Sequence, residues 1–199
     1  GTGHIITGPL EFGPFYDTYS TNPSEGERYS LGVQTSNDFS RKVWLRTFVA
    51  YGSLDRQWKY GGFAEWVVRK TPRTEVFVEH IRDMDQLGMM GFFDQGNGLN
   101  SALQLNGQTR LTQVTRTEMS MLHEFGSGWT QSVELRHRSV AATDTVRFIR
   151  ESDPTGLSPL VTAELTLQTR YARNEKFLSG AIERMSLGSR WPILTATMT

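Results

Sequence analysis

The sequence predicts an all-β fold: an antiparallel up-and-down meander forming a transmembrane β-barrel or a large part of one, with about eight or nine strands in this chain. Three observations carry this expectation. Apolar residues recur with a period of two along most of the chain. The clearest case is Leu160–Tyr171, where Val161, Ala163, Leu165, Leu167, Thr169 and Tyr171 form an uncharged set against Thr162, Glu164, Thr166, Gln168 and Arg170. Several runs are also far longer than the ~5–6 residues usual for a strand of a globular protein. At ~3.4 Å per residue a run like Leu160–Tyr171 spans ~40 Å, and a tilt of ~45° reduces that to ~28 Å, the height of a bilayer core. Finally, every other connection is short, so strands that run up and down place tight turns at one end and long loops at the other.

The elements follow in order. Residues 1–26 carry Pro9, Pro14 and Pro23 with several glycines and read as an irregular lead-in; residues 27–199 read as the barrel domain, incomplete at its carboxy-terminal end. Glu27–Thr35 alternates Tyr29, Leu31 and Val33 with Arg28, Ser30 and Gln34, then turns through Ser36–Ser40. The stretch Arg41–Gly88 organises the chain, with three strand-like runs. In Arg41–Ser53, Val43, Leu45, Thr47, Val49 and Tyr51 oppose Lys42, Trp44, Arg46 and Phe48. In Lys59–Lys70, Tyr60, Gly62, Ala64, Trp66 and Val68 oppose Lys59, Glu65 and Arg69. Lys70-Thr71-Pro72-Arg73 is a tight turn before the third run, Thr74–Ile81.

A long connection follows over Arg82–Gly107. Its glycines and asparagines at Asp94–Asn100 argue against regular structure, while Met89, Met90, Phe92 and Phe93 give it enough apolar content to fold back on something. Then come a strand over Gln108–Glu124, a glycine turn at Phe125–Gly128, and a strand over Trp129–Ser139. A second long connection, Val140–Pro159, holds a short hairpin arm around Val146–Arg150 and leads to Leu160–Tyr171. The tail adds a strand around Phe177–Leu187, a Gly188-Ser189-Arg190 turn and a last run, Pro192–Thr199.

Composition bounds the function. The 199 residues suit one domain, and 21 basic residues interspersed with 21 acidic ones leave no electrostatic footprint for nucleic acid. The absence of cysteine removes disulfides, thiolate metal sites and thiol nucleophiles. No run reaches the ~18 apolar residues of a membrane helix, and no charged-then-apolar leader opens the chain. The mean hydropathy of −0.42 does not separate a barrel from a soluble β-domain, because a barrel presents only every second residue to lipid. Tyr51, Trp129, Tyr171 and Trp191 at strand ends suit interfacial girdles and equally suit the general enrichment of aromatics in strands.

Few residues invite chemistry. His80, Asp83 and Asp85 put an imidazole beside carboxylates, as a metal site does, and read better as a polar network at a strand end. Asp94, Asn97 and Asn100 offer oxygen ligands for calcium at a spacing unlike the EF-hand loop. His123-Glu124 and the strand carboxylates Glu65, Glu75, Glu79, Glu134 and Glu164 are the acid–base candidates, set against the ordinary pairing of inward Glu and Arg on neighbouring strands. No G-x-S-x-G elbow, phosphate loop or dinucleotide fingerprint occurs, and Arg136-His137-Arg138 is too short for a nucleic-acid patch. The reading is therefore no catalytic, cofactor-binding or metal residue, and no cofactor.

Four segments resemble a known family: NPSEGERYSLGVQTS at Asn22–Ser36, YGSLDRQWKYGGFAEW at Tyr51–Trp66, RDMDQLG at Arg82–Gly88 and RYARNEKFLSGAIERMSLGSRWPILT at Arg170–Thr195. They are similar to Bacteroidota outer-membrane proteins called carboxypeptidase-like regulatory domain-containing, after an amino-terminal β-sandwich that this chain lacks. The carboxy-terminal part of those proteins resembles the barrel of the outer-membrane assembly-factor and surface-antigen superfamily. The resemblance runs from about Gly8 onward and rests on structural phrases, with no peptidase activity implied. Neither the superfamily's inward lid loop with its arginine signature nor an aromatic-terminated last strand has a match here, so the chain resembles the first part of a longer barrel. The resemblance implies a bacterial outer-membrane protein, not an enzyme, acting in outer-membrane biogenesis, transport or surface architecture. Its partners would be the lipid bilayer and other outer-membrane or periplasmic proteins, with no nucleic acid. The alternative is a soluble antiparallel β-domain, a sandwich or ligand-binding barrel, acting as a binding module. The two differ in where Val161 and Leu165 point: outward to lipid in the first, into a core in the second.

Overall fold

The alternating runs fold as strands. A computed structural model of the chain describes residues 3–86, 111–142, 158–180 and 182–199, and in them the protein is all-β apart from one 3-10 turn at Phe15–Asp17. The strands are β1 (Ile5–Thr7), β2 (Leu10–Phe12), β3 (Tyr19–Asn22), β4 (Gly26–Thr35), β5 (Val43–Gly52), β6 (Trp58–Lys70) and β7 (Arg73–Gln86). After them come β8 (Leu111–Glu124), β9 (Trp129–Ala141), β10 (Leu160–Ala172), β11 (Lys176–Ser179), β12 (Arg184–Gly188) and β13 (Ile193–Met198). Among the described residues no helix is long and apolar enough to cross a membrane, which says nothing of strands.

One antiparallel sheet of 11 strands takes all but β11 and β12, in the order β1-β2-β4-β5-β6-β7-β8-β9-β10-β13, with β3 also on β4. From β4 to β10 it is a pure meander, each strand pairing with the next in sequence. The short connections at 36–42, 71–72 and 125–128 lie together at one end, since Thr74 pairs with His123 and Trp129 with Tyr171. At the other end Gln86 pairs with Leu111 and Val140 with Leu160, which anchors the two long connections there. This is the arrangement that up-and-down connectivity predicts.

Directly opposed residues share a face, so the register sorts the sheet into two sides. Val78, Met119, Leu135 and Leu165 form one cross-strand row. Glu79, Glu118, Arg136 and Glu164 form the next, one residue along and on the opposite side. The side with the charges is the covered one. Glu79, Glu118 and Lys59 are buried there with Val67, Val114 and Val140, whereas Val78, Met119, Leu135 and Leu165 are exposed. We call these the inner and outer sides. Among the described residues seven apolar side chains are buried beside four charged ones, Glu25, Lys59, Glu79 and Glu118, so charge shares the inside of this sheet with hydrocarbon.

Three expectations need correction. The lead-in is more ordered than its prolines suggest: β2 and β3 fit around Pro9, Pro14 and Pro23 because the free edge of β4 supplies their ladder partners, and β1 pairs in turn with β2. The third strand of the central stretch runs past Ile81 to Gln86, with Arg82 and Met84 outward and Asp83 inward on Arg28, so charges that read as loop continue the alternation. In the tail, Phe177–Leu187 is two strands: Gly180 donates its N–H to the Glu183 carbonyl at 2.8 Å, and the run doubles back as the β11–β12 hairpin. The hairpin arm expected around Val146–Arg150 lies outside the described residues.

Candidate functional site

Inward positions on β7–β10 carry an excess of long charged side chains, and the ladder decides which of them meet. Glu79 and Glu118 stand directly opposed, a like-charge pairing that is unfavourable alone. Arginines one row away or one strand away relieve it. Arg116 donates to Glu79 at 2.6 Å, and Arg136 reaches Glu118 at 3.0 Å, Glu134 at 2.7 Å and Glu164 at 3.8 Å. The result is a belt of guanidinium–carboxylate contacts across four strands on the inner side of the sheet. β5 and β6, with Phe77 of β7, line the same side with aromatics instead: Trp44 and Phe63 stack edge-on at 5.0 Å, and Phe63 lies 5.8 Å from Phe77.

A second cluster fills the inner side at the long-connection end. Asn22 fixes the turn before β4 by accepting the N–H of Ser24 and of Glu25 on Oδ1 and by donating from Nδ2 to Glu25 Oε2 at 2.6 Å. Glu25 is thereby turned inward, where Arg28 reaches it at 2.9 Å and Lys59 at 2.7 Å. Lys59 also pairs with Asp55, and Arg28 continues to Asp83. Glu25 is 2% exposed and Lys59 0%, so these charges depend on one another rather than on water. Burial alone pushes the Glu25 carboxyl up, but Arg28, Lys59 and the Asn22 amide together outweigh it and hold the group below its usual range. Gly52 makes room for the cluster: a Cβ there would stand 2.4 Å from Asp55 Oδ1 and 2.8 Å from Lys59 Nζ.

The opposite end is spanned by the β11–β12 hairpin, which leaves the sheet after β10 and returns as β13, again beside β10. Its tip reaches the far strands. Gly180, Ile182 and Glu183 line one side of a cavity of about 330 Å³ whose other side is Glu11, Gln34 and Trp44 on β2, β4 and β5. Arg73 donates to the Ile182 carbonyl at 2.8 Å, Arg184 pairs with Glu124 at 2.7 Å, and the Arg184 guanidinium lies 3.4 Å over the Phe177 ring. At the base, Arg170 holds Glu175 with two bonds of 2.6 and 2.7 Å. Arg170, with Ser186 also donating, keeps the Glu175 carboxyl below its ordinary value against the opposing effect of burial.

The residues singled out by sequence fall into this frame unevenly. His80 is outward and bonds Thr117 at 2.8 Å, while Asp83 is inward on Arg28, so the suggested metal trio is split across the sheet. Among the described residues no cluster of His, Asp and Glu has a metal-holding arrangement. Asp94, Asn97 and Asn100 lie outside the described residues. His123 and Glu124 separate in the same way: His123 meets Thr74 at 2.8 Å, and Glu124 accepts from Arg73 N and Arg184. Glu65, Glu75, Glu79, Glu134 and Glu164 each lie against Arg73, Arg116 or Arg136, the pairing expected of inward carboxylates. Arg136 and Arg138 are inward and His137 outward, which divides the basic triplet. Sequence reasoning missed Glu25, Asp55 and Lys59, since Lys59 meets Asp55 four residues away but meets Glu25 only through the pairing of β4, β5 and β6, and it missed the anchoring roles of Arg73 and Arg184.

The four aromatics at strand ends form contacts with other rings or cations. Tyr51 meets Trp58 at 5.0 Å and Tyr19 meets Tyr29 at 5.6 Å near the long-connection end. Trp129 meets Tyr171 at 4.8 Å, and Arg173 lies 5.1 Å over Trp191, near the short-turn end. Comparison with protein-family models, curated proteins and solved structures finds no match for the chain.

Proposed function

We propose that this chain is a transmembrane β-barrel protein of a bacterial outer membrane, or a sector of such a barrel. Its role is non-enzymatic, in outer-membrane biogenesis, transport or surface architecture, as its resemblance to the Bacteroidota carboxypeptidase-like regulatory domain family and the assembly-factor and surface-antigen barrels implies. Lipid is the first partner, and other outer-membrane or periplasmic proteins are the second.

The observation that carries the reading is the inverted polarity of the sheet. Leu165 is 50% exposed and Val161 54%, on the side that carries Leu31, Val49, Val78, Met119 and Leu135, while the ion pairs are turned inward. A soluble β-domain gains its stability by closing such a face over a core. Here the apolar side is outermost and bounded by aromatic pairs toward each end, the pattern of a lipid-facing band between girdles. Strand length agrees: β6 to β10 have 13 or 14 residues, ~45 Å untilted and ~30 Å at a tilt of ~45°.

Co-flotation tests the reading. Refolded in the presence of phosphatidylcholine vesicles, the protein is expected to float with them and to resist extraction by carbonate. A chain that stays monomeric in detergent-free buffer and remains in the dense fraction is the soluble binding module instead.

A further inference from the structure

Toward the long-connection end the outer side of β7–β9 changes character. The rows Val76–Met121–Val133 and Val78–Met119–Leu135 give way to His80–Thr117–His137, and beyond that to Arg82–Thr115–Ser139. His80, Arg82, Thr117 and His137 are all exposed. His80 Nδ1 lies 2.8 Å from Thr117 Oγ1, and the ring rests beside Tyr60. Arg82 lies over β8 with Nε 3.1 Å and Nη2 3.2 Å from the Gln113 side-chain amide, whose oxygen accepts both once the amide is oriented to satisfy the guanidinium donors. Glutamine leaves the guanidinium charge uncompensated, and among the described residues no carboxylate pairs with Arg82. The neighbouring carboxylates Glu79, Asp83, Glu118 and Glu134 are all on the inner side.

We infer that this patch is a binding site for the phosphate headgroup of an anionic lipid, in the leaflet that meets the long-connection end. The inference rests on the reading that the outer side faces lipid. An arginine on that side of a strand is tolerated only near the interface, which fixes the Arg82 row at headgroup height. At that height its remaining N–H groups, with the hydroxyls of Thr115 and Ser139 alongside, present donors and a positive charge, the complement of a phosphate that only accepts. A zwitterionic headgroup gains less, because its ammonium group finds no outward carboxylate among these three strands. The aromatic pair Tyr51–Trp58 stands at the same end of the sheet, where amphipathic rings settle at headgroups.

Lipid selectivity at the protein boundary is the test, with the full chain in phosphatidylcholine vesicles and spin-labelled phosphatidic acid or phosphatidylcholine as probe. The native protein is expected to prefer phosphatidic acid roughly five-fold, the effect of one basic residue at an anionic surface. Arg82→Gln removes the preference, Arg82→Lys keeps most of it, and Thr115→Val with Ser139→Ala lowers it while leaving the charge. Equal association of the two probes with the native protein overturns the inference, as does a preference unchanged in Arg82→Gln. A protein that incorporates and shows no preference refutes this site alone; one that fails to incorporate in any vesicle refutes the membrane reading beneath it.

Discussion

Arg28 on β4 grips Asp83 on β7 across two intervening strands, with Nη1–Oδ1 at 2.6 Å and Nη2–Oδ2 at 2.9 Å. In a flat sheet those strands are three spacings of ~4.8 Å apart, ~14 Å, farther than the two side chains reach when both stand upright. The pair closes only because the sheet curls toward its inner side. It is therefore a direct readout of curvature, linking residues 55 apart in sequence.

Breaking that pair from one side is expected to cost more than removing it. Arg28→Leu or Asp83→Leu leaves a charge on the inner side without its partner, and each should destabilise by about 3 kcal/mol or more. The double variant should recover a substantial part of the sum, with Glu25 still held by Lys59. Urea unfolding of the four proteins in one micelle system measures the cycle. Strictly additive losses would mean that the two residues do not meet in the folded protein.

Lys59 is the most completely covered cation described, at 0% exposure between Glu25 and Asp55. Lys59→Met is expected to destabilise by about 3–5 kcal/mol, because two carboxylates lose a shared counter-charge. Adding Glu25→Gln to Lys59→Met should restore part of the loss, since the glutamine keeps a partner in Arg28 without a second negative charge. Thermal unfolding followed by circular dichroism checks both.

Acid should act on the same groups. Glu25 and Glu175 are held below the ordinary carboxyl value of 4.5 in the folded chain. A depressed folded value means that the stability they contribute is fully present above 4.5 and is lost as pH falls through the lowered folded values. Stability measured against pH should therefore decline on the acid side of 4.5. Glu25→Gln and Glu175→Gln should each start lower and decline less. An acid limb identical in the variants and the native chain would remove both groups from the account.

Opening of the β11–β12 hairpin is expected to be a local rather than a global equilibrium. Glu124 anchors it by accepting from Arg184 at 2.7 Å and from the Arg73 backbone at 3.0 Å. Hydrogen bonds to charged groups contribute ~1.5–3 kcal/mol, so Glu124→Gln should raise the open population of residues 176–188 by about tenfold or more. Limited proteolysis should then cut within that segment correspondingly faster while β4–β10 remain protected. Unchanged cleavage would show that the hairpin is held by packing around Ile182 instead.

Why some of this was legible in the sequence and some was not follows from the range of the interactions. The period of two in Leu160–Tyr171 is local, and so is the proline turn at Thr71–Pro72; both appear in the fold at the residues that encode them. Asp83 and Asp85 continue a strand only because partners such as Arg28, far away in sequence, neutralise what would otherwise read as a polar loop. The β11–β12 hairpin was hidden for a related reason: Phe177 to Leu187 alternates acceptably as one strand, and only the inward anchors Arg73 and Glu124 reward folding it at Gly180. Lys59 looked like one more polar member of an alternating run. Nothing near it in sequence announces that the turn holding Glu25 lies over it.

A charge placed on the outer side of β10 reports whether that side touches hydrocarbon or water. Leu165 is half exposed in the middle of that strand, level with Leu135, and Glu164 points to Arg136 on the inner side. If the outer side meets water, Leu165→Arg is an ordinary surface change within about 0.5 kcal/mol of neutral. If it meets hydrocarbon, the same change costs ~2–4 kcal/mol, falling to ~0–1 toward the strand ends, so Val161→Arg should cost less than Leu165→Arg. Stability alone still mixes insertion with folding, and labelling separates them. The native chain has no cysteine, so Leu165→Cys and Glu164→Cys each introduce a unique thiol. In vesicles, position 165 is expected to react with a lipid-soluble maleimide and to resist a charged one, and position 164 is expected to show the reverse. Ready reaction of position 165 with the charged reagent, together with a neutral Leu165→Arg, would place that face in water and leave the inward ion pairs as the polar interior of a soluble sheet.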